Sequence, residues 1–497
     1  MLRLDRETNP EILRQAALLL ERENQRLIEK NLELQRRLLA LEGRSPEELQ
    51  QRLKLLEEQL AQRNHALFGD SSEKRPRAKS DKKERAPQRG HGPREQPNLP
   101  VVEVVHELDA ADKTCTSCGG QLAEWKGQFE ESEEIDVIER RFIVKKHRRK
   151  KYRCACQGCV ETAPAPVKLF PGARYSIDFA VDVMVGKYLD HLPLERQVRI
   201  MAREGLAIDS QTLWDYLERI ARILKPAYDR LHAYLLTLRV LGADETHWRL
   251  MGAKGQDVGV AKKWFVWALV GPDAVCYRIE DSRSTKAAER VLEDFSFILV
   301  VDGYAVYERL SKIGKGFTLA FCWSHVRRKY VEAEQHSPAA AEAIELINEL
   351  FMIERLCPPD PDGDELRRRL REERSRPIVE KLRGWMNTQR VLPESALGKA
   401  ISYTNGLWPG LVRFLDDPQI PLHNNASERA LRGVVVGRKN HYGSRSRRGT
   451  EVAAICYSLL ESAKLAGIEP KAYVRLALAA ADEGREIPLP HELAQAA

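Results

Sequence analysis

The sequence predicts a multidomain chain of mixed class: a helical N-terminal segment, a cysteine-rich module, a helical hairpin, and an α/β domain interrupted by helices. Three observations point there. Leucine recurs every seven residues near the N-terminus. Five of the nine cysteines fall within residues 115–159. From Val240 onward the apolar period changes from helical to strand-like. At 497 residues there is room for roughly three domains of ordinary size.

Composition narrows the function classes. Hydrophobic residues make up 43% of the chain, enough for a packed core, and charged residues 31%. The net charge of +7, from 80 Lys and Arg against 73 Asp and Glu, supports a polyanionic partner only weakly; the clustering of the basic residues says more. No apolar run approaches the ~18 residues that span a bilayer, and the N-terminus is charged rather than signal-like. The expectation is a cytoplasmic, nucleoid-associated chain with no membrane partner. In that compartment cysteines serve as metal ligands or buried thiols rather than disulfides.

Residues 10–68 read as a leucine-zipper-like coiled coil. Leu20, Leu27, Leu34 and Leu41 take d positions, and Asn24, Asn31 and Leu38 then fall at a. Polar Asn at a sets register and favours a dimer. The pattern breaks at Gly43 to Pro46 and resumes with Leu53, Leu60 and Leu67. Residues 69–99 form a flexible basic linker, rich in Lys, Arg, Pro and Gly. Residues 100–170 carry Cys115-Thr-Ser-Cys118-Gly-Gly and, about 35 residues later, Cys154-Ala-Cys156-Gln-Gly-Cys159. Two thiolate groups across a short strand-rich stretch make a zinc ribbon, with four of these five cysteines on the Zn²⁺.

Residues 175–235 read as a helix-turn-helix DNA-binding region. Leu194 to Gly205 is a helix ended by glycine, and Asp209 or Ser210 caps the next. Arg196, Arg199, Arg203, Gln211 and Thr212 are its candidate DNA contacts. The α/β domain takes residues 236–336 and 421–470. Arg239 to Asp244, Lys263 to Val270, Ala274 to Ile279, Phe297 to Val301 and Phe317 to Phe321 are strands, and residues 285–295 and Ser324 to Gln335 are helical. The order βββαβαβα is that of a ribonuclease H-like fold. Residues 337–420 form a helical insertion, and residues 471–497 a C-terminal tail.

Asp244 is expected to end the first strand and Asp302 to follow the fourth, bringing two carboxylates to one sheet edge. Glu428 would join them from a helix laid across the sheet. Three converging acids suit two Mg²⁺ (or Mn²⁺) ions about 4 Å apart, the arrangement that activates a water or 3′-hydroxyl and steadies a leaving oxygen. Each acid has a plainer reading: Asp244 as a turn cap, Asp302-Gly303 as a simple turn, Glu428 as the i,i+4 partner of Arg432. Cys322-Trp-Ser-His325 reads as core and helix cap rather than a second metal site. His325, Arg327, Arg328, Lys329, Arg429, Arg432, Arg438 and Lys439 are further candidate DNA contacts.

These motifs resemble the insertion-sequence-66 family of DDE transposases. Leu67-Phe-Gly-Asp-Ser-Ser-Glu-Lys74, Ala243-Asp-Glu-Thr246, Asp302-Gly-Tyr304, Cys322-Trp-Ser-His-Val-Arg-Arg-Lys329, Asn424-Asn-Ala-Ser-Glu-Arg-Ala-Leu-Arg432 and Gly437-Arg-Lys-Asn440 match its blocks in order. The resemblance covers residues 15 to 485. It implies a transposase that binds terminal inverted repeats and target DNA, cleaves and transfers strands with Asp244, Asp302 and Glu428 on divalent ions, and works as a homodimer or larger assembly with accessory proteins. Two departures stand out: Ser427 where the family usually has Ala, and an extra cysteine in the second group. The competing classes are a DNA-binding regulator and a ribonuclease H-like nuclease without transposition.

Overall fold

The computed structural model describes residues 100–109, 140–153, 159–252, 262–313, 316–358 and 363–496, with short stretches and single positions between 22 and 135. The chain divides into two compact units, one of Met1–Glu73 with Ile143–Ala497 and one of Lys74–Phe142. In the smaller unit the described positions lie mostly outside helix and strand and are exposed, with Leu122 N donating to Lys113 O at 2.8 Å. In the larger one, β1 (Lys151–Arg153) and β2 (Val160–Thr162) pair antiparallel and bracket the second cysteine group.

Helices α1 (Ile177–Tyr188), α2 (Leu194–Arg203) and α3 (Ser210–Thr237) follow. Ser176 caps α1, and Asp209 caps α3 by accepting from Thr212 N at 2.7 Å. Gly205 ends the α2 turn at φ +86°, a conformation that suits glycine. Helix α3 is 28 residues long, more than a short recognition helix needs. Its second half belongs to the sheet: Leu224, Leu231 and Leu235 are buried, and Tyr228 donates to Tyr277 O at 2.9 Å.

The central sheet contains β3 (Val240–Leu250), β4 (Lys262–Val270), β5 (Val275–Glu280), β6 (Ile298–Val301) and β7 (Thr318–Phe321), in the order β5-β4-β3-β6-β7. The first three run antiparallel, and β3, β6 and β7 run parallel. With α4 (Thr285–Leu292), α5 (Ala305–Lys312) and α6 (Trp323–Glu334) between and after them, the observed order is the βββαβαβα read from the sequence. The outer edge of β5 is closed by a helix. Ser458 Oγ accepts from Tyr277 N at 2.8 Å, and Ser462 Oγ accepts from Val275 N at 3.0 Å. Two serines one helical turn apart match the two-residue repeat of strand donors, so the edge offers no open amides there.

Helices α7 (Ala340–Glu354), α8 (Asp364–Leu370), α9 (Arg376–Thr388) and α10 (Ala396–Leu411) occupy the stretch expected as an insertion. Helices α11 (Asn425–His441) and α12 (Arg447–Leu465) return to the sheet. Residues 471–497, expected as a tail, carry most of α13 (Pro470–Asp482) and α14 (Pro490–Ala496). Tyr473, Val474, Ala477 and Leu478 are buried, and Lys471 and Arg475 pair with Asp182 and Asp178 of α1 at 2.5 and 2.6 Å. Among the described residues, no helix is long and apolar enough to cross a membrane.

Arg371 ties the insertion to the segment that leads into α11. Its side chain is 1% exposed. Nε and Nη2 donate to the two carboxylate oxygens of Glu354 at 2.7 and 2.8 Å. Nη1 donates to Phe414 O and Asp417 O, and Nη2 to Ile420 O, at 2.6, 2.8 and 3.1 Å. Arg371→Ala leaves a mostly buried carboxylate and three carbonyls without their donors, so a loss of about 3–5 kcal/mol is expected. Urea unfolding checks this; a loss under about 1 kcal/mol would equate the pair with an exposed one.

Candidate active site

Strand β3 does not end at Asp244 as expected but runs to Leu250, because antiparallel pairing with β4 continues through Leu250↔Lys262. On the other side, β6 pairs with β3 only from Val240↔Ile298 to Gly242↔Val300 and stops at Val301. Asp244 thus stands where β3 has just lost its parallel neighbour, and Asp302 follows the end of that neighbour. Asp302 Oδ1 accepts from Tyr304 N at 3.1 Å, which turns the chain sharply into α5. Helix α10 packs closely over Gly303, where a Cβ would lie 2.6 Å from Tyr403 Oη and 2.8 Å from Leu407 Cδ1.

Glu428 lies in the first turn of α11. That helix end is fastened to β3 by Asn424, which is buried. Asn424 Nδ2 donates to Ala243 O at 2.8 Å, its Oδ1 accepts from Ser427 Oγ at 2.6 Å, and its N donates to Cys322 Sγ at 3.2 Å. A Cβ on Gly242 would lie 2.6 Å from Ser427 Oγ and 3.1 Å from Asn424 Oδ1. The glycine therefore permits the approach, and Ser427 completes the hydrogen bonding of Asn424. Cys322 is a structural acceptor, consistent with its reading as core.

The acids influence one another. Burial raises the Asp244 pKa to about 7, assisted by the charges of Glu245, Asp302 and Glu428, while the Glu245 N–H donated to Asp244 Oδ1 at 2.8 Å pulls it back. Among the described residues, no three His, Cys, Asp or Glu side chains stand close enough to enclose an ion. The two facts are compatible, because Coulomb forces between partly buried charges reach further than coordination bonds. His325 faces the same site: its Nε2 is 3.6 Å from Glu428 Oε1, and its buried Nδ1 has no partner. Burial, with the Asp302 charge next, pushes Tyr403 up to about 12.

Sequence reasoning missed the group behind the aspartates. Glu245, on the opposite face of β3 from Asp244, is buried. Its Oε1 accepts from Arg283 Nε at 2.6 Å and its Oε2 from Tyr307 Oη at 2.6 Å. Burial pushes Glu245 up, and Tyr307 and Arg283 hold it down in part. Arg283 lies over the Tyr304 ring, 3.6 Å from its centroid. An acid inside a strand core needs a partner, and that was the available signal; the partners themselves are 38 and 62 residues away.

The candidate DNA contacts divide. Arg196, Arg199 and Arg203 are exposed along one face of α2, and Arg429, Arg432 and Lys439 along one face of α11. Others are engaged within the chain. Gln211 donates to Asp215 at 2.8 Å, Thr212 Oγ1 to Asp209 at 3.0 Å, Arg327 to Asn348 at 2.7 Å and Arg438 to Thr246 at 3.2 Å, while Lys329 pairs with Glu332 at 3.2 Å. Arg328 lends positive charge beside Tyr403. Cys115, Cys118, Cys154 and Cys156 lie outside the described residues; Cys159 is exposed and free.

Comparison with known proteins follows the same lines. The family described as "Transposase IS66 family" matches residues 172–452, and "zinc-finger binding domain of transposase IS66" matches residues 112–157. Three uncharacterized proteins of Sinorhizobium fredii (strain NBRC 101917 / NGR234) are similar. Protein y4jD is 35% identical over 76% of this chain and 76% of its own. Proteins y4hP and y4qI are 28% and 30% identical over 74% and 79% of this chain and 70% and 74% of their own. A Mos1 transposase paired-end complex with left transposon end overlaps 50% of this chain and 80% of its own at 10% identity; its TM-score of 0.12 carries no weight on the fold. With one family pattern running across Asp244, Asp302 and Glu428 and a relative matched over three quarters of both chains, the protein belongs to the IS66 family of transposases.

Proposed function

We propose that the chain cuts and joins DNA at the ends of a mobile element, with Asp244, Asp302 and Glu428 of a ribonuclease H-like domain as ligands for divalent ions. The observation that carries this reading is the placement of the acids, with Asp244 where β3 has lost its parallel neighbour, Asp302 just past the end of that neighbour and Glu428 in the first turn of a helix fastened to β3. Asp244 is half-buried, and its pKa is pushed up to about 7 by burial and by the charges of Glu245, Asp302 and Glu428. Such a group is short of positive charge. Hard oxygens from two strands and a helix suit Mg²⁺ or Mn²⁺, which keep part of their water shell and need few protein ligands. When bound, such ions make a water or 3′-hydroxyl nucleophilic and neutralise the leaving oxygen. The chain's own part is orientation: the Tyr304 amide aims Asp302, the Glu245 amide aims Asp244, and Asn424 fixes the start of α11. His325 Nε2 stands 3.6 Å from Glu428 Oε1 and borders the same site.

The exposed arginines of α2, the first helix of a helix-turn-helix, and the basic face of α11 serve DNA phosphates, whose contribution falls with salt. Zinc takes four of Cys115, Cys118, Cys154, Cys156 and Cys159. Self-association runs through the N-terminal heptads. Their described positions between Arg22 and Leu34 are helical, and Leu27 and Leu34 are 52% and 50% exposed, as seam residues of a lone helix would be.

Asp244→Asn, Asp302→Asn and Glu428→Gln are each expected to abolish cleavage of labelled element ends with Mg²⁺ while leaving end binding largely intact. Near-normal cutting by Asp302→Asn would sink the mechanism. Metal analysis of reduced, freshly purified protein should find one zinc per chain, and single serine substitutions of Cys154, Cys156 and Cys159 should identify the spare cysteine. The burial of Asp244 also has a stability sign. Its folded pKa of about 7 exceeds the ordinary 3.8, so without divalent ions it opposes folding increasingly as pH rises through that window. In Mg²⁺-free buffer Asp244→Asn should therefore have a higher Tm than wild type at pH 8 and a similar one near pH 4. An equal difference at both pH values would refute the assignment.

A further inference from the structure

We infer that Arg283 is a positioning residue that joins the backbones of the two aspartates into one rigid frame, an inference that rests on the metal-binding reading of Asp244 and Asp302. The two acids come from separate strands, and on the sheet itself β3 and β6 stop pairing at Gly242↔Val300, before either acid is reached. Something else must hold them in register. Arg283 lies between β5 and α4, where Ser284 caps α4 by accepting from Ala287 N at 3.3 Å. From there its guanidinium makes two attachments. Nε donates to Glu245 Oε1 at 2.6 Å, and Glu245 is the residue next to Asp244. The guanidinium carbon stands 3.6 Å from the centroid of the Tyr304 ring, and Tyr304 Oη donates back to Arg283 O at 3.1 Å. Tyr304 N in turn donates to Asp302 Oδ1 at 3.1 Å. The path Asp244–Glu245–Arg283–Tyr304–Asp302 thus bridges the gap left by the sheet. Tyr307 closes it from α5 by donating to Glu245 Oε2 at 2.6 Å, so both oxygens of the buried acid are fixed.

The geometry calls for arginine. A planar guanidinium both donates to a carboxylate and stacks on an aromatic face; lysine keeps the charge and loses the plane. The role also separates from simple charge. A cation near a metal site repels the metal, so removing it would tighten metal binding if charge were all that mattered. Loss of positioning works the other way.

The test uses full-length, zinc-loaded protein titrated with Mn²⁺, free Mn²⁺ being read by EPR, beside thermal melts and DNA-end binding. Arg283→Met should weaken Mn²⁺ binding about tenfold, the range typical of residues that orient metal ligands, with end binding unchanged. Arg283→Lys should weaken it by a smaller factor, which keeps the test alive if the Met variant does not fold. Glu245→Gln/Arg283→Met, which removes the unpaired buried charge, should recover fold stability but not Mn²⁺ affinity. Unchanged or tighter Mn²⁺ binding by both single variants overturns the proposal. Asp302→Asn in the same titration separates the two readings. If it binds Mn²⁺ as wild type does, the metal-site reading itself fails; if it loses binding while Arg283→Lys and Arg283→Met do not, only the positioning role fails.

Discussion

The acid site depends on how closely the start of one helix approaches one strand. Asn424 reaches across to Ala243 O, and Gly242 leaves the space in which Ser427 and Asn424 meet. A Cβ at 242 would lie 2.6 Å from Ser427 Oγ and 3.1 Å from Asn424 Oδ1, so the side chains that fasten the helix end would have to shift. The contact is buried and made of directional hydrogen bonds, so it sets position more narrowly than apolar packing does. Cys322 adds a third attachment, joining the end of β7 to the same asparagine. The Cys322–His325 block and the Asn424–Arg432 block are thus one structural unit, though about a hundred residues separate them.

The insertion has a structural part in the site. Tyr403 and Leu407 of α10 close over Gly303 and leave the turn after Asp302 little freedom. Arg371 gathers Phe414, Asp417 and Ile420, the residues that lead into Asn424. An insertion attached at both the second and third acids brings together segments that would otherwise move independently. That rigidity matters where like charges are packed. The charges of Asp302 and Glu428 both act on Asp244, so the frame holds mutually repelling groups near one another.

The helical region before the sheet is likewise continuous with it. Helix α3 begins as the second helix of a hairpin and ends against β5 and α4, where His232 Nε2 meets Val291 O at 2.9 Å. Helices α12, α13 and α14 fill the space around it, so the exposed arginines of α2 are carried by the same packed body as the acids. A shared helix thus ties the α2 hairpin to the sheet that carries Asp244 and Asp302.

Local pattern was enough for a good part of this. Strands β3 to β7, the capped hairpin of α2 and α3, and the positions of Asp244 and Asp302 at neighbouring strands follow from periodicity and turn residues, which act over a few positions. The motif blocks then pointed to Glu428, where spacing alone left a plain i,i+4 pair with Arg432 open. Periodicity did not reveal where β3 ends, because its length is set by its pairing with β4 rather than by its own residues. It did not mark the C-terminal stretch as core, since α13 packs on α1, nearly three hundred residues upstream, and on α3. Nor did it name Asn424, Gly242, Arg371 or the Glu245–Arg283–Tyr304 path. These are contacts of side chains with groups, many of them backbone carbonyls, that local periodicity does not link. A sequence dictates them only through the folded chain, because residue type supplies the donors and acceptors but the fold sets the distance and angle at which they meet.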